Sequence, residues 1–514
     1  MNQNRARGRV GACSVLVAGA SVAFAVGASA NVILVPSQQP TLKAAITAAN
    51  SGDEIIVADG TYTGSDNRGL DFQGKNLFLH SANGASACTI DCQGAERAFN
   101  FQSGETAASV IEGFTIRNGK GVSGQARGGA ISIHGQTLMT SPTIRHCNFE
   151  SNTAPIGGAI SVFLTSGAVI TDCSFTSNSA TSNGGGGIQI EGANVSVQVL
   201  QSTFQSNVST GAAGGAIQST SNAVLVVKDC TFTQNTTTSS GGAISQTSTT
   251  GVGATIWNCR FYSNVATSGS AILLFFAQNA SIVNGVFSGN KSSAVPGAAI
   301  SLSGTASATI LNCTLTSNSN TSPSGGTAIS KLSSNPCSVT NCIIWNNGNP
   351  AILDASSSNP MVVTNSIVQG GFPGSGNLNA DPLFTDANGA DNVVGTPDDD
   401  LSLAAGSLAI DSGNGTAWSV ALTTDVLGNP RFVDDPSIPN GGVGTPPFLD
   451  RGAYEVQIAR TCNAADIDCD GDVDASDLAL LLGAWGSSNP DADLDGNGTV
   501  GASDLGVLLG AWTG

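Results

Sequence analysis

Aromatic side chains make up 5% of this 514-residue sequence and charged ones 11%, while glycine occurs 65 times. So few rings point away from the layered core of a conventional globule, and so many glycines call for tight turns. Basic residues are also scarce, 18 against 36 acidic ones, for a net charge of -18. That balance excludes nucleic acid as a natural partner and disfavours acidic glycans unless calcium bridges them. The three histidines, His80, His134 and His146, lie apart in the sequence with no serine or cysteine nucleophile motif beside them. The one long apolar stretch, residues 10–26, is short for a membrane span and rich in small residues. It follows Arg5, Arg7 and Arg9 and leads to Ala28-Ser29-Ala30. Residues 1–30 therefore read as a secretory signal cleaved after Ala30, and the chain is expected outside the cell or on its surface.

What the sequence does have is a repeat. A Gly-Gly-Ala-Ile-like unit starts at Gly128, Gly157, Gly185, Gly214, Gly241, Gly269, Gly297 and Gly325, in steps of 27 to 29 residues. Each unit continues with a Cys-x-Phe-x-x-Asn pattern, as in Cys147, Phe149 and Asn152 or Cys230, Phe232 and Asn235. Cysteine and phenylalanine two apart share one face of a strand, predicted to point inward, with Ile144, Ile170, Ile256 and Ile310 preceding them. The asparagine column runs from Asn152 to Asn347 and is expected at a left-handed corner, its amides bonded from coil to coil. Constant spacing of this kind means stacked coils of two or three short strands, eight of them here, about 40 Å long at about 4.8 Å per coil.

At these residues the chain resembles right-handed parallel β-helix proteins, and the Gly-Gly-Ala-Ile and Phe-x-x-Asn pairing is similar to the middle repeat of polymorphic outer-membrane proteins. The expected fold is all-β, a pectate-lyase-like right-handed solenoid. Residues 41–50 place Leu42, Ala45, Ile46 and Ala49 on one helical face, a short helix that covers the first coil edge. Residues 31–127 are thus the cap and first coils, and 128–380 the repeats. The repeat cysteines are expected as free, buried thiols, and Cys88 with Cys92, Cys337 with Cys342, and Cys462 with Cys469 as the better bridge candidates.

Acid concentrates at the other end, with 22 of the 36 Asp and Glu residues between Asp381 and Asp504. Residues 381–459 carry Asp381-Pro382-Leu383-Phe384, Ala409-Ile410-Asp411, a DVLGNPR run at 425–431 and Arg451-Gly452-Ala453-Tyr454-Glu455. This region resembles a choice-of-anchor domain and is expected to cap the rod. Within it, Asp386, Asn388, Asp391, Asp398, Asp399 and Asp400 fall within fifteen residues, either a further calcium site or a solvated acidic turn.

Residues 460–514 give the most specific chemical signal. Asp466, Asp468, Asp470, Gly471, Asp472, Asp474 and Asp477 stand at positions 1, 3, 5, 6, 7, 9 and 12 of an EF-hand-like loop. Asp493, Asp495, Asn497, Gly498, Thr499 and Asp504 repeat positions 1, 3, 5, 6, 7 and 12. Alternate oxygens, a glycine for the sharp turn, a carbonyl at position 7 and a final carboxylate wrap one Ca²⁺ per loop. A helix follows each, with Leu478, Leu481, Leu482 and Trp485, then Leu505, Leu508, Leu509 and Trp512, as a single apolar stripe. This pair of loop-helix units resembles a dockerin. The resemblance implies two calcium ions and a cohesin-like protein partner, with Ala475, Ser476, Ala502 and Ser503 where partner-reading residues stand. Gly501 at position 9 of the second loop suggests a water ligand there, and Cys469 is an unusual interior residue.

No catalytic residue is singled out. Charges along the repeats are few, Lys228-Asp229 with Asp172 being the nearest to a cluster. The paired-aspartate and Arg-x-Lys motifs of polygalacturonases and the arginine-centred motif of pectate lyases are missing, and Gly184 to Gly187 lack the lysine of a phosphate loop. The expected function is a non-catalytic adhesion or binding scaffold anchored through the calcium module. The alternative is a polysaccharide lyase or glycoside hydrolase acting on extracellular glycans.

Overall fold

The computed structural model describes residues 30–121, 126–294, 297–322, 326–356, 358–418, 422–435, 438–444, 447–457, 463–468, 471–487, 489 and 491–513. The signal segment, Gly325, Cys462, Cys469 and Asp470 lie outside them. Short parallel strands stack into sheets of 22, 12 and 7 strands. The largest joins two faces of the coil because Ile131–Thr140 and Ile160–Thr171 run unbroken from one face to the next. A middle coil has four strands rather than two or three, for example Ile217–Thr220, Val224–Lys228, Thr231–Thr233 and Thr236–Thr237. Twelve strands in the cysteine-phenylalanine sheet extend the rod beyond the eight repeat coils, because Gly60–Tyr62, Cys88–Asp91, Thr115–Arg117 and Ile367–Val368 join it without the repeat signature.

The inward columns form as the pattern requires. Phe149, Phe175, Phe204, Phe232, Phe261 and Phe287 are fully buried and stack ring on ring, 4.5 to 5.0 Å between successive centroids. Offset stacking adds to the burial of each ring. The cysteines beside them are free thiols, and burial pushes the thiol of Cys147 up to about 12, well outside the reactive range. Two expected bridges are corrected, since Cys88, Cys92, Cys337 and Cys342 are also free. The reason is reach. Cys88 and Cys337 each open a four-residue strand, Cys88–Asp91 and Cys337–Thr340, and their expected partners lie beyond its far end, about 10 Å along, whereas a disulfide needs Cα atoms within about 7 Å.

The asparagine column is a ladder. Asn207 Nδ2 donates to the Phe175 carbonyl and to Asn235 Oδ1, each at 2.9 Å, while its own Oδ1 accepts from the backbone and side-chain nitrogens of Asn178. The same set recurs at Asn178, Asn235, Asn264 and Asn290, all fully buried. The left-handed residue, however, is the one before each asparagine: Ser151, Ser177, Ser206, Gln234, Ser263, Gly289, Ser317 and Asn346 have φ between 50° and 67°. That residue turns the corner and faces out, which frees the asparagine to face in. A second left-handed column, His146, Asp172, Gln201, Asp229, Asn258, Asn284, Asn312 and Asn341, bends the chain just before each cysteine slot.

Helix Leu42–Ala48, capped by Thr41, closes the first edge and buries Leu42, Ala45 and Ile46 against the first coil. The other end is closed by residues 375–378, which bond back onto Asn365, Ser366 and Val368. Residues 381–457 do not cap the rod. They lie along the outer face of the phenylalanine sheet, where Tyr262 and Val286 join Leu401, Val426, Ala453 and Tyr454 in a second core. Side chains of the left-handed column dock them: Asn284 donates to the Thr424 carbonyl, Asn312 to Asp450 and Asn341 to Asn414.

This flank contains a buried acid cluster. The Asp450 carboxylate accepts from the backbone of Asp411 and Val456, and Glu455 lies 3.6 Å from the buried Arg431. Burial raises Asp450 to about 7 and Asp411 to about 6, and burial with the Asp450 charge raises Glu455. These groups hold protons in the folded flank that the unfolded chain, near 4, has already released. Their stabilisation is therefore complete below about pH 4 and lost as pH rises through 6 to 7. Hydrogen exchange over residues 409–457, corrected for intrinsic rate, should show more protection at pH 5 than at pH 8. Asp411→Asn should reduce that difference without abolishing it, because Asp450 and Glu455 are raised as well. Equal protection at both pH values would contradict this.

Candidate functional site

The two acidic loops fold alike. Asp466, Asp468 and Asp477 bring carboxylate oxygens within 4.8 Å of one another, and so do Asp493, Asp495 and Asp504. Every matching residue of the second loop lies 27 positions after the first, as do the helices Ala475–Gly483 and Ala502–Gly510. Gly471 and Gly498 turn at φ 104° and 88°, and their amides donate to Asp466 and Asp493. Asp477 accepts from the backbone of Ile467, Asp468 and Asp474, and Asp504 from Asp495 and Gly501. The last carboxylate thus ties each loop to the start of its helix.

The donor set suits calcium. From 462 to 514 the chain has ten aspartates and no lysine, arginine or histidine, yet Asp477 and Asp504 are fully buried. Backbone N–H groups already donate to both acids, and the oxygens left over, all-oxygen donors at these spacings, fit a Ca²⁺ ion. Of the remaining expected ligands, Asp474 caps its helix through Ser476 N, Asn497 reaches Asp495 and Ser503, and Thr499 N donates to Asn497. Asp472 stands on the first loop, and Asp470 is outside the described residues. Ala475, Ser476, Ala502 and Ser503 are exposed on the first helical turns.

The apolar stripe is corrected. Leu481 and Leu508 are buried together and Leu478 and Leu505 pack beside them, but Leu482, Trp485, Leu509 and Trp512 are exposed. Two nine-residue helices facing each other can bury only one row apiece, so the next row stays in water. At 386–400 the carboxylates are engaged in turns: Asp391 accepts from Val393 N, Asp398 from Asp391 N, and Asp399 from Ser288 and Gly395. Among the described residues, only the two loop triplets converge as a group of three acids.

On the rod, coiling assembles charges that look scattered in the sequence. His80 Nε2 lies 2.8 Å from Glu54, Arg145 Nε 2.6 Å from Glu112, and His146 3.6 and 3.8 Å from Glu112 and Asp172. Lys228 sits 4.4 Å from the Trp257 ring centre and Asn258 donates to Asp229. The histidines are therefore not isolated. Counting back two places and one place from each cysteine slot would have put Arg145-His146, Thr171-Asp172 and Lys228-Asp229 in one outward row. Lys331 departs differently: it faces the core, 3.6 Å from Asp354, in a column of Ile133, Val162, Ile190 and Leu302.

A cleft of about 460 Å³ opens near the first repeat, lined by Arg97, Asn100, Gln102, Ala126, Arg127, Ser132, His134, Gln136, Ile156 and Phe163. Arg127 pairs with Glu191 at 2.6 Å and lies over Phe163, on which His134 stacks at 4.8 Å. Burial, then the Arg97 charge, lowers the pKa of His134. No feature of the local sequence marked this place, which depends on residues from three successive coils.

The model of the right-handed β-helix region matches residues 43–252 and 242–378, well over half of the chain. The chain belongs to the right-handed β-helix family. Among curated proteins no sequence match is found. Solved structures similar to this β-helix protein include the pectate lyase Pel9A, at 14% identity and TM-score 0.39, covering 84% of this chain and 98% of that one. The catalytic domain of a GH87 α-1,3-glucanase bound to nigerose matches at 11% and 0.28, covering 68% of each chain. The PL6 family alginate lyase AlyGC matches at 10% and 0.34, covering 75% and 61%. Likeness this distant carries nothing about activity. Among the described residues of the β-helix protein, no helix is long and apolar enough to cross a membrane.

Proposed function

We propose that this β-helix protein is an exported binding scaffold, held at a cell surface or in an extracellular assembly by its paired acidic loops. Each loop grips one Ca²⁺, and the two first helical turns, with Ala475, Ser476, Ala502 and Ser503, face a cohesin-like domain of another protein. The observation that carries this reading is the same acid triplet followed by the same helix, repeated 27 residues on, in a segment without a basic side chain. Exposed Leu482, Trp485 and Leu509 support a protein partner, since a lone module leaves them in water.

The test is capture by the immobilised full chain in calcium and in EGTA, beside an Asp466→Ala, Asp493→Ala chain. A partner held only in calcium and only by the parent chain supports the reading; equal capture in all three opposes it. A second reading, a glycan-degrading enzyme, draws on the row of Glu112, Arg145, His146 and Asp172, where bases and carboxylates stand side by side on an open face. Release of reducing or unsaturated ends from polysaccharides, lost in His146→Ala and Arg145→Ala chains, would replace the scaffold by the enzyme.

A further inference from the structure

We propose that one long edge of the rod is a self-association surface, on which a second copy of this chain lies antiparallel to the first. The inference does not depend on the calcium module or on what the scaffold binds.

The edge is built by the turns that follow the eight Gly-Gly-Ala-Ile strands, residues 135–142, 164–167, 192–195, 221–223, 248–254, 276–279, 304–307 and 332–336. None of these turns contains Asp, Glu, Lys or Arg. The outward row beside them, Val169, Gln198, Val226, Thr255, Ser281 and Thr309 in register, is uncharged too. Two copies of a chain with net charge -18 repel each other over most approaches, and a strip without charge is where they can meet.

The same edge holds apolar side chains in water. Leu138, Met139, Leu164, Phe275, Phe276 and Leu332 are each more than a third exposed. They are seated rather than loose. Leu138 lies over Gly104 and the Phe276 ring over Gly304, where an added Cβ would come within 2.9 and 2.6 Å of them. Leu164 and Phe276 also hold φ of 65° and 56°, a conformation that bulky residues rarely adopt, where neighbouring coils place Gly192, Asn222 and Gly304. Backbone strain that only keeps a leucine and a phenylalanine in water points to a partner.

The pattern is self-complementary. Turning a second rod end for end, about a two-fold axis between the fourth and fifth turns, sets the first turn against the eighth and the second against the seventh. Leu138 and Met139 then meet Leu332, and Leu164 meets Phe276 where its ring covers Gly304. The middle turns, with Ser221, Thr249 and Thr250, are small enough to let both ends close. Two rods running the same way would instead bring together their acidic ends, where 22 of the 36 Asp and Glu residues of each chain lie. Seven steps of about 4.8 Å and a width of about six residues give roughly 700 Å² per copy, close to the ~800 Å² of a stable interface.

Sedimentation velocity of the full chain, in calcium and in EGTA, reads the association. A dimer in both media is expected, weakened at least about tenfold in a Leu164→Asp, Phe276→Asp chain. Aspartate tolerates the left-handed backbone better than leucine or phenylalanine, so the melting temperature of that variant should not fall. Oxidising a mixture of Thr137→Cys and Ser334→Cys chains should yield a cross-peptide joining positions 137 and 334, read by mass spectrometry. A monomer at about 100 µM, an undiminished dimer in the folded double variant, or cross-peptides joining position 137 to itself overturns the proposal. A monomer that floats with phosphatidylcholine vesicles, and no longer does so as the double variant, also overturns it and gives the edge to a lipid surface.

Discussion

An Asn207→Ala chain should lose about 3–5 kcal/mol of rod stability, more than a surface substitution and comparable with deleting a core ring. The asparagine makes four buried hydrogen bonds, two through Nδ2 and two through Oδ1, and alanine replaces none of them. The Asn178 amides, the Phe175 carbonyl and Asn235 Oδ1 are then left without that partner, each in a site closed to water. Because the ladder runs from coil to coil, damage in the middle loosens both neighbours, as expected where each repeat is held by the next. Ser206→Gly, one residue earlier, should be neutral or mildly stabilising, since φ 55° suits glycine better than serine. Denaturant midpoints measure both. A loss below about 1 kcal/mol in Asn207→Ala would mean that the amide column is incidental to the fold.

Removing calcium should unfold residues 463–513 and leave the rod as it was. At a hundredfold excess over its dissociation constant one ion contributes about 2.7 kcal/mol, so two contribute about 5. A segment of this length has about 3–8 kcal/mol of stability in all. Losing both ions therefore removes most of it, and the Asp466→Ala, Asp493→Ala chain should behave like the parent in EGTA. Trp485 and Trp512, two residues beyond the ends of the paired helices, report the change by fluorescence, while the stacked phenylalanines and their sheet remain protected from exchange. A module that stays folded in EGTA would show that its buried aspartates are satisfied without a metal.

The inward half of the rod was legible because period and burial coincide there. Cysteine, phenylalanine and asparagine must each return to one slot per coil, and the slot tolerates Ser202 or Leu315 because those still fill it. The outward half was harder to read. Asp172 and His146 belong to different coils, so their approach depends on register, and the cleft residues Arg97, Arg127 and Phe163 share no motif at all. The flank of 381–457 was misplaced for a related reason. Its apolar residues show that it packs on something, but only the outward-facing asparagines of the left-handed column, buried beneath it, reveal which face receives it. In the acidic module the loop spacing was plain, whereas the exposure of Trp485 and Trp512 followed from how little two short helices can cover.

The most direct measurement is the number of calcium ions bound by the full chain at equilibrium, by native mass spectrometry or calorimetry. Two ions on the parent chain, and none on one carrying Asp477→Asn with Asp504→Asn, is the result expected. A parent chain that takes up no calcium, or a variant that binds as many ions as the parent, would contradict the anchoring role assigned to these loops.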